Sequence, residues 1–75
     1  MPKTIDALYA WVATEPDGGE GVCSMQLGAV HMPLIGADMD RVKSLRARAE
    51  FVRRVSGCPV RLVRFSRRED LEELP

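Results

Sequence analysis

The chain has 75 residues, with eleven bases balanced by eleven acids, 45% hydrophobic and 29% charged side chains. That is the composition of one small globular domain, not of a low-complexity polymer, and zero net charge argues against a dedicated nucleic-acid binder. A domain of this size buries only about 60–65% of the surface its unfolded chain exposes, so an added interface such as a homodimer contact would stabilise it noticeably.

The charge is unevenly spread. Residues 1–40 sum to −5, residues 41–68 to +9 and residues 69–75 to −4. Such a chain can satisfy its own field or present a basic band to a partner. Cys23 and Cys58 show no metal-ligand spacing. No hydrophobic signal segment precedes residue 5, and the uncharged runs are too broken to span a bilayer. The expectation is therefore two free thiols in a reducing cytoplasm, with no membrane partner.

In chain order, "IDALYAWVAT" (residues 5–14) reads as the first strand. Tyr9, Trp11 and Val12 favour a pleated surface. Ile5, Ala7, Tyr9, Trp11 and Ala13 share one face, and Leu8, Ala10 and Val12 share the other. Both faces are apolar, so this strand should lie inside a sheet and need cover on both sides. "ATEPDGGEG" follows. Pro16-Asp17-Gly18-Gly19 carries the backbone preferences of a turn. A calcium loop needs carboxylates at alternate positions and a closing glutamate, an order that Glu15, Asp17 and Glu20 lack. A phosphate cradle needs a helix after the glycines, and none follows. The stretch reads as the solvated corner of a hairpin spanning residues 5–28, whose second strand alternates Cys23, Met25 and Leu27 with Val22, Ser24 and Gln26.

"HMPLIG" (31–36) holds the only histidine, His31, and a proline that cannot donate to a central ladder. It reads as an edge segment, and His31 has no adjacent partner that would make it a base or ligand. Residues 38–55 read as the main helix. Asp38 is suited to the N-cap and Asp40 to the first turn. Val42, Leu45, Ala49 and Val52 form its apolar stripe, and Gly57 and Pro59 end it. "VRLVRF" (60–65) is the last strand. Ser66 and Glu69 match a capping box, which predicts a short C-terminal helix over 67–74 packing through Leu71 and Leu74. At about two turns it needs a docking surface.

The expected architecture is α+β, a two-layer sandwich in the order β-β-(β)-α-β-α, with a mostly antiparallel small sheet packed on one main helix, forming a single domain over residues 1–75. The frame "YAWVATEPDGGEG … PLIGAD … PVRLVRFSRRE" resembles a family of small uncharacterised bacterial and phage-borne proteins; the resemblance implies a bacterial origin and carries no activity or site residue. The layout is also similar to the partial ribonuclease-H-like antitoxins, although the proline- and glycine-centred motif expected after their second strand does not occur in "MQLGAVHMPLIG".

The chain lacks the serine-elbow, zinc-helix, paired-cysteine and nucleotide-loop motifs of enzymes. Ser66 is accounted for as a cap, Cys23 as core, and Cys58 sits between Gly57 and Pro59 without a base. No catalytic, cofactor or metal residue is expected. The expected role is a small interaction or regulatory module, homodimeric and without catalysis of its own. Tyr9, Trp11 and Val12 would pack across the uncovered sheet face, rimmed by Arg64, Arg67 and Arg68 facing Glu72 and Glu73. The alternative is a nucleic-acid-binding or antitoxin-like protein using the basic helix of residues 41–54, with Arg46, Arg53 and Arg54 tracking phosphates and Tyr9 and Trp11 stacking bases.

Overall fold

The computed structural model describes residues 4–75; residues 1–3, the start of the expected domain, lie outside the described part. The chain forms β1 (Leu8–Thr14), β2 (Glu20–Val22), β3 (Ser24–Leu27), β4 (Val30–Pro33), β5 (Ile35–Gly36), α1 (Met39–Lys43), α2 (Arg46–Ser56) and β6 (Val60–Phe65). It is an α+β fold with an antiparallel sheet in one layer and the helices in the other.

β1 is the central strand. Along one side it pairs with β6 from Leu8↔Phe65 to Ala13↔Val60. Along the other it pairs first with β5, Tyr9↔Gly36 and Ala10↔Ile35, and then with β2, Val12↔Val22 to Thr14↔Glu20. Both of these short strands run antiparallel to β1, so they lie in line as one interrupted row. The interruption is a second hairpin, β3–β4, inserted into that row. A clasp closes its base. The Cys23 N–H donates to the Trp11 carbonyl (2.8 Å), the Leu34 N–H to the Cys23 carbonyl (2.8 Å) and the Trp11 N–H to the Leu34 carbonyl (3.1 Å). Thus the expected hairpin over 5–28 and edge segment over 31–36 resolve differently: residues 30–33 pair with β3, and only residues 35–36 join the main sheet.

The corner between β1 and β2 is a turn. The Gly18 N–H reaches the Glu15 carbonyl (2.9 Å) with Pro16 at the second position, and the Asp17 carboxylate accepts the Gly19 N–H (2.8 Å). Proline presets that position's φ, and an aspartate that bonds its own backbone two residues on holds the bend. The β3–β4 loop is the two-residue Gly28-Ala29, with φ +61° at Gly28. Only its first central residue has positive φ, the pattern of a II′ hairpin turn. The molecule measures 41 × 27 × 25 Å along its principal axes. Its radius of gyration of 14.1 Å exceeds the roughly 11 Å of a compact chain this long.

The main helix over 38–55 forms as two segments. Asp38 caps the first, its carboxylate accepting the Asp40 N–H (2.9 Å), and Gly57 ends the second at φ +73°. The helix breaks at Ser44–Leu45. The Trp11 indole Nε1–H donates to the Val42 carbonyl at 2.9 Å, and the Leu45 N–H donates to the same oxygen at 3.1 Å. An uninterrupted helix would send the Arg46 N–H to that oxygen. A side chain entering the ladder is a recognised cause of such a break.

The core is built around Trp11, Cys23, Leu34, Val42 and Ala49, with Tyr9, Ala13, Leu45, Val52, Val60 and Leu62 packed against it. The expected helical stripe therefore faces the sheet. The terminal helix expected over 67–74 does not form. Residues 66–75 carry no secondary structure and are exposed, with Leu71 at 85%. Among the described residues nothing covers Leu71 or Leu74, and two turns in water are too short to hold themselves. Among the described residues no helix is long and apolar enough to cross a membrane.

Candidate interaction surface

The two faces of β1 have different fates. Cross-strand partners share a face, so Tyr9, Trp11 and Ala13 lie with Val60, Leu62 and Arg64 on the helix side. Leu8, Ala10 and Val12 lie with Val63, Phe65, Ile35 and Val22 on the other side. No helix covers this second group. Ala10 and Val12 in the middle of this side are buried, whereas Leu8, Val22 and Phe65 are 40%, 47% and 51% exposed. The open side is apolar along Leu8, Ala10 and Val12 and turns polar at one end with Arg61, the partner of Val12, and with Thr14 and its partner Glu20.

This corrects the expected patch. Tyr9 and Trp11 do not join Val12 on the uncovered face; Trp11 is 8% exposed and anchored to the helix layer. Neither is placed to stack bases. The residues that complete the open face with Val12 are Leu8, Val22, Ile35, Val63 and Phe65. The alternation of Leu8, Ala10 and Val12, and of Val63 and Phe65, was the available signal. What the alternation leaves out is which face the helix takes.

Arg46 and Arg53 stand two helical turns apart. With Trp11, Ala49, Glu50 and Val60 they line a shallow cleft of about 160 Å³ between α2 and β6. Arg46 Nε donates to Glu50 Oε1 at 2.9 Å, so one of the expected phosphate-tracking groups is already paired. Arg54 is exposed and outside this cleft. Arg64 is exposed on the helix side opposite Tyr9. Arg67 and Arg68 follow β6, where they join Ile5, Leu8, Phe65 and Asp70 around a groove of about 510 Å³. This groove shares Leu8 and Phe65 with the open face. Arg68 Nε donates to Asp70 Oδ1 at 2.9 Å rather than facing Glu72 or Glu73.

The thiols are both free, Cys23 buried and Cys58 half-buried. Burial pushes the Cys23 thiol above its ordinary value of 9.0, its own backbone hydrogen bond opposing this. The hydroxyls of Ser44 and Ser56 donate to the carbonyls of Arg41 and Val52, and His31 sits opposite Gln26 on the exposed ribbon. Among the described residues no three His, Cys, Asp or Glu side chains gather as metal ligands. The arrangement offers apolar contact and arginine pairing. Comparison with known proteins found no matching family model, no matching curated protein and no matching solved structure.

Proposed function

We propose that this protein is a cytoplasmic interaction or regulatory module, without catalysis of its own, that self-associates through the open face of its sheet. The observation that carries this reading is the position of β1: central, apolar on both sides, and covered by a helix on only one. The occupant is a second copy. The face is apolar at its centre and carries one acid, Glu20, and one base, Arg61, toward one end, a self-complementary pair, and a chain of zero net charge does not repel itself. Seven residues of β1 at about 3.4 Å each, by three rows at about 4.8 Å, give roughly 340 Å² of flat sheet. That is below the ~800 Å² per partner of a standard interface, so the dimer is a weak, concentration-dependent one. The two free thiols agree with a reducing compartment.

Sedimentation equilibrium tests this. The wild-type chain should shift from monomer to dimer with concentration, and Leu8→Asp and Phe65→Asp should each remain monomeric with unchanged far-ultraviolet circular dichroism. A wild-type chain that stays monomeric at its solubility limit sinks the reading.

The second reading, a nucleic-acid-binding or antitoxin-like protein, draws on Arg48, Arg53 and Arg54, exposed on α2 and outside both ion pairs seen among the described residues. It requires steeply salt-dependent binding to generic RNA or DNA. No binding at low salt ends it.

A further inference from the structure

The outer edge of β6 is open. Trp11 gives its N–H to the Leu34 carbonyl and its carbonyl to the Cys23 N–H, both on the side of β1 away from β6. Trp11 and Leu62 therefore face each other without mutual hydrogen bonds, and bonded pairs alternate with unbonded ones along an antiparallel ladder. It follows that Arg61, Val63 and Phe65 turn their N–H and C=O groups to β1, while Val60, Leu62 and Arg64 turn theirs outward. β6 pairs with β1 alone, and no hydrogen bond among the described residues reaches the outward groups. The acidic C-terminal segment runs instead beside residues 4–8, around the groove already described.

Such an edge is a template for another strand, and its side chains decide which one. On the helix side, Arg64 is exposed, and Arg53 lines with Val60 the cleft between α2 and β6. Neither arginine has an ion-pair partner among the described residues. On the open side, Val63 and Phe65 follow Arg61 and extend the apolar face. A strand laid beside β6 with carboxylates on its helix side and apolar residues on its open side matches both. A second copy of β6 does not. Residues 41–68 carry +9, and edge-to-edge pairing sets two such bands side by side. Charges of one sign guard an edge against its own copies and leave it open to their opposite.

We infer that the free edge of β6 takes up, as an added strand of the sheet, an extended segment of another protein in which acidic and apolar residues alternate. Backbone hydrogen bonds to Val60, Leu62 and Arg64 supply the attachment, and Arg53 and Arg64 supply the selection for acids. This contact is separate from self-association at the open face. It leaves that face uncovered, and neither contact requires the other.

The probe is a fluorescein-labelled peptide alternating glutamate and valine over about ten residues, titrated into the full chain and followed by anisotropy. Saturable binding is expected, with none for the peptide alternating lysine and valine. Arg53→Glu/Arg64→Glu should weaken it by at least about tenfold. Only one edge of the peptide meets β6. Methylating the backbone nitrogens of one set, glutamates or valines, should therefore abolish binding, while methylating the other set should change it by less than about twofold. Amide exchange followed by nuclear magnetic resonance gives the second readout. The N–H groups of Val60, Leu62 and Arg64 should exchange quickly in the free chain and slowly with peptide bound, while those of Arg61 and Val63 stay slow throughout. No saturable binding, equal effects of the two methylated sets, unprotected outward groups, or indifference to the charge reversal overturns the inference. Protection that appears on concentrating the chain without peptide assigns the edge to a second copy. An oligonucleotide that binds more tightly than the peptide and is lost with the same arginines assigns them to nucleic acid. Either result also overturns it.

Discussion

The helix side and the open side of β1 carry similar hydrophobicity and differ in what they can anchor. Trp11 brings a large ring and an N–H that needs a buried acceptor, and the break between α1 and α2 supplies one at Val42. Leu8, Ala10 and Val12 bring neither bulk nor a polar handle. The lesson is that apolar character selects burial, whereas ring size and a donor select the layer. The same bond costs the helix its regularity at Ser44–Leu45, a local loss accepted for a contact between residues 31 apart.

Mutations on the two sides should separate accordingly. Trp11→Ala should cost about 3–5 kcal/mol in urea unfolding, a large part of the roughly 4–11 kcal/mol expected of 75 residues. Trp11→Phe, which keeps much of the ring and leaves the Val42 carbonyl with the Leu45 N–H as its one donor, should lose about 0.5–1.5 kcal/mol. A loss below about 1 kcal/mol for Trp11→Ala would remove the anchoring argument. On the open side, Phe65→Ser should change monomer stability by less than about 1 kcal/mol, because Phe65 is already half exposed. A greater loss measured in dilute monomer would mean that something covers that face within one chain. The smallest effect is confined to alkaline solution. Cys23 stays protonated in the folded core while the unfolded thiol ionises, so the native state binds more protons and stability falls as pH rises above about 9.0. The stability difference between wild type and Cys23→Ala should narrow over that window; a constant gap would contradict a buried thiol.

Local signals in the sequence were reliable where the physics is local. Asp38 and Gly57 cap as expected, the Val42–Ala49 stripe faces the sheet, and the Pro16 corner turns the chain. The composite row of β2 and β5 was not legible, because alternation along a strand says nothing about which distant segment shares its row. Nor was the helix break, which depends on an indole from another element. The terminal helix shows the opposite failure: its capping residues are present, but its stability depends on a surface absent from the single chain. Of the site, the expected patch of Tyr9, Trp11 and Val12 mixed both parities of β1, and of the three only Val12 lies on the open face.

The inserted ribbon has a practical corollary. Since β2 and β5 already align on β1, the sheet closes through the Cys23–Leu34 clasp, and beyond that clasp only Met25 packs against the core. The tip at Gly28-Ala29 is therefore a natural splice point, where a loop, dye site or affinity epitope can be grafted while the scaffold beneath keeps its geometry.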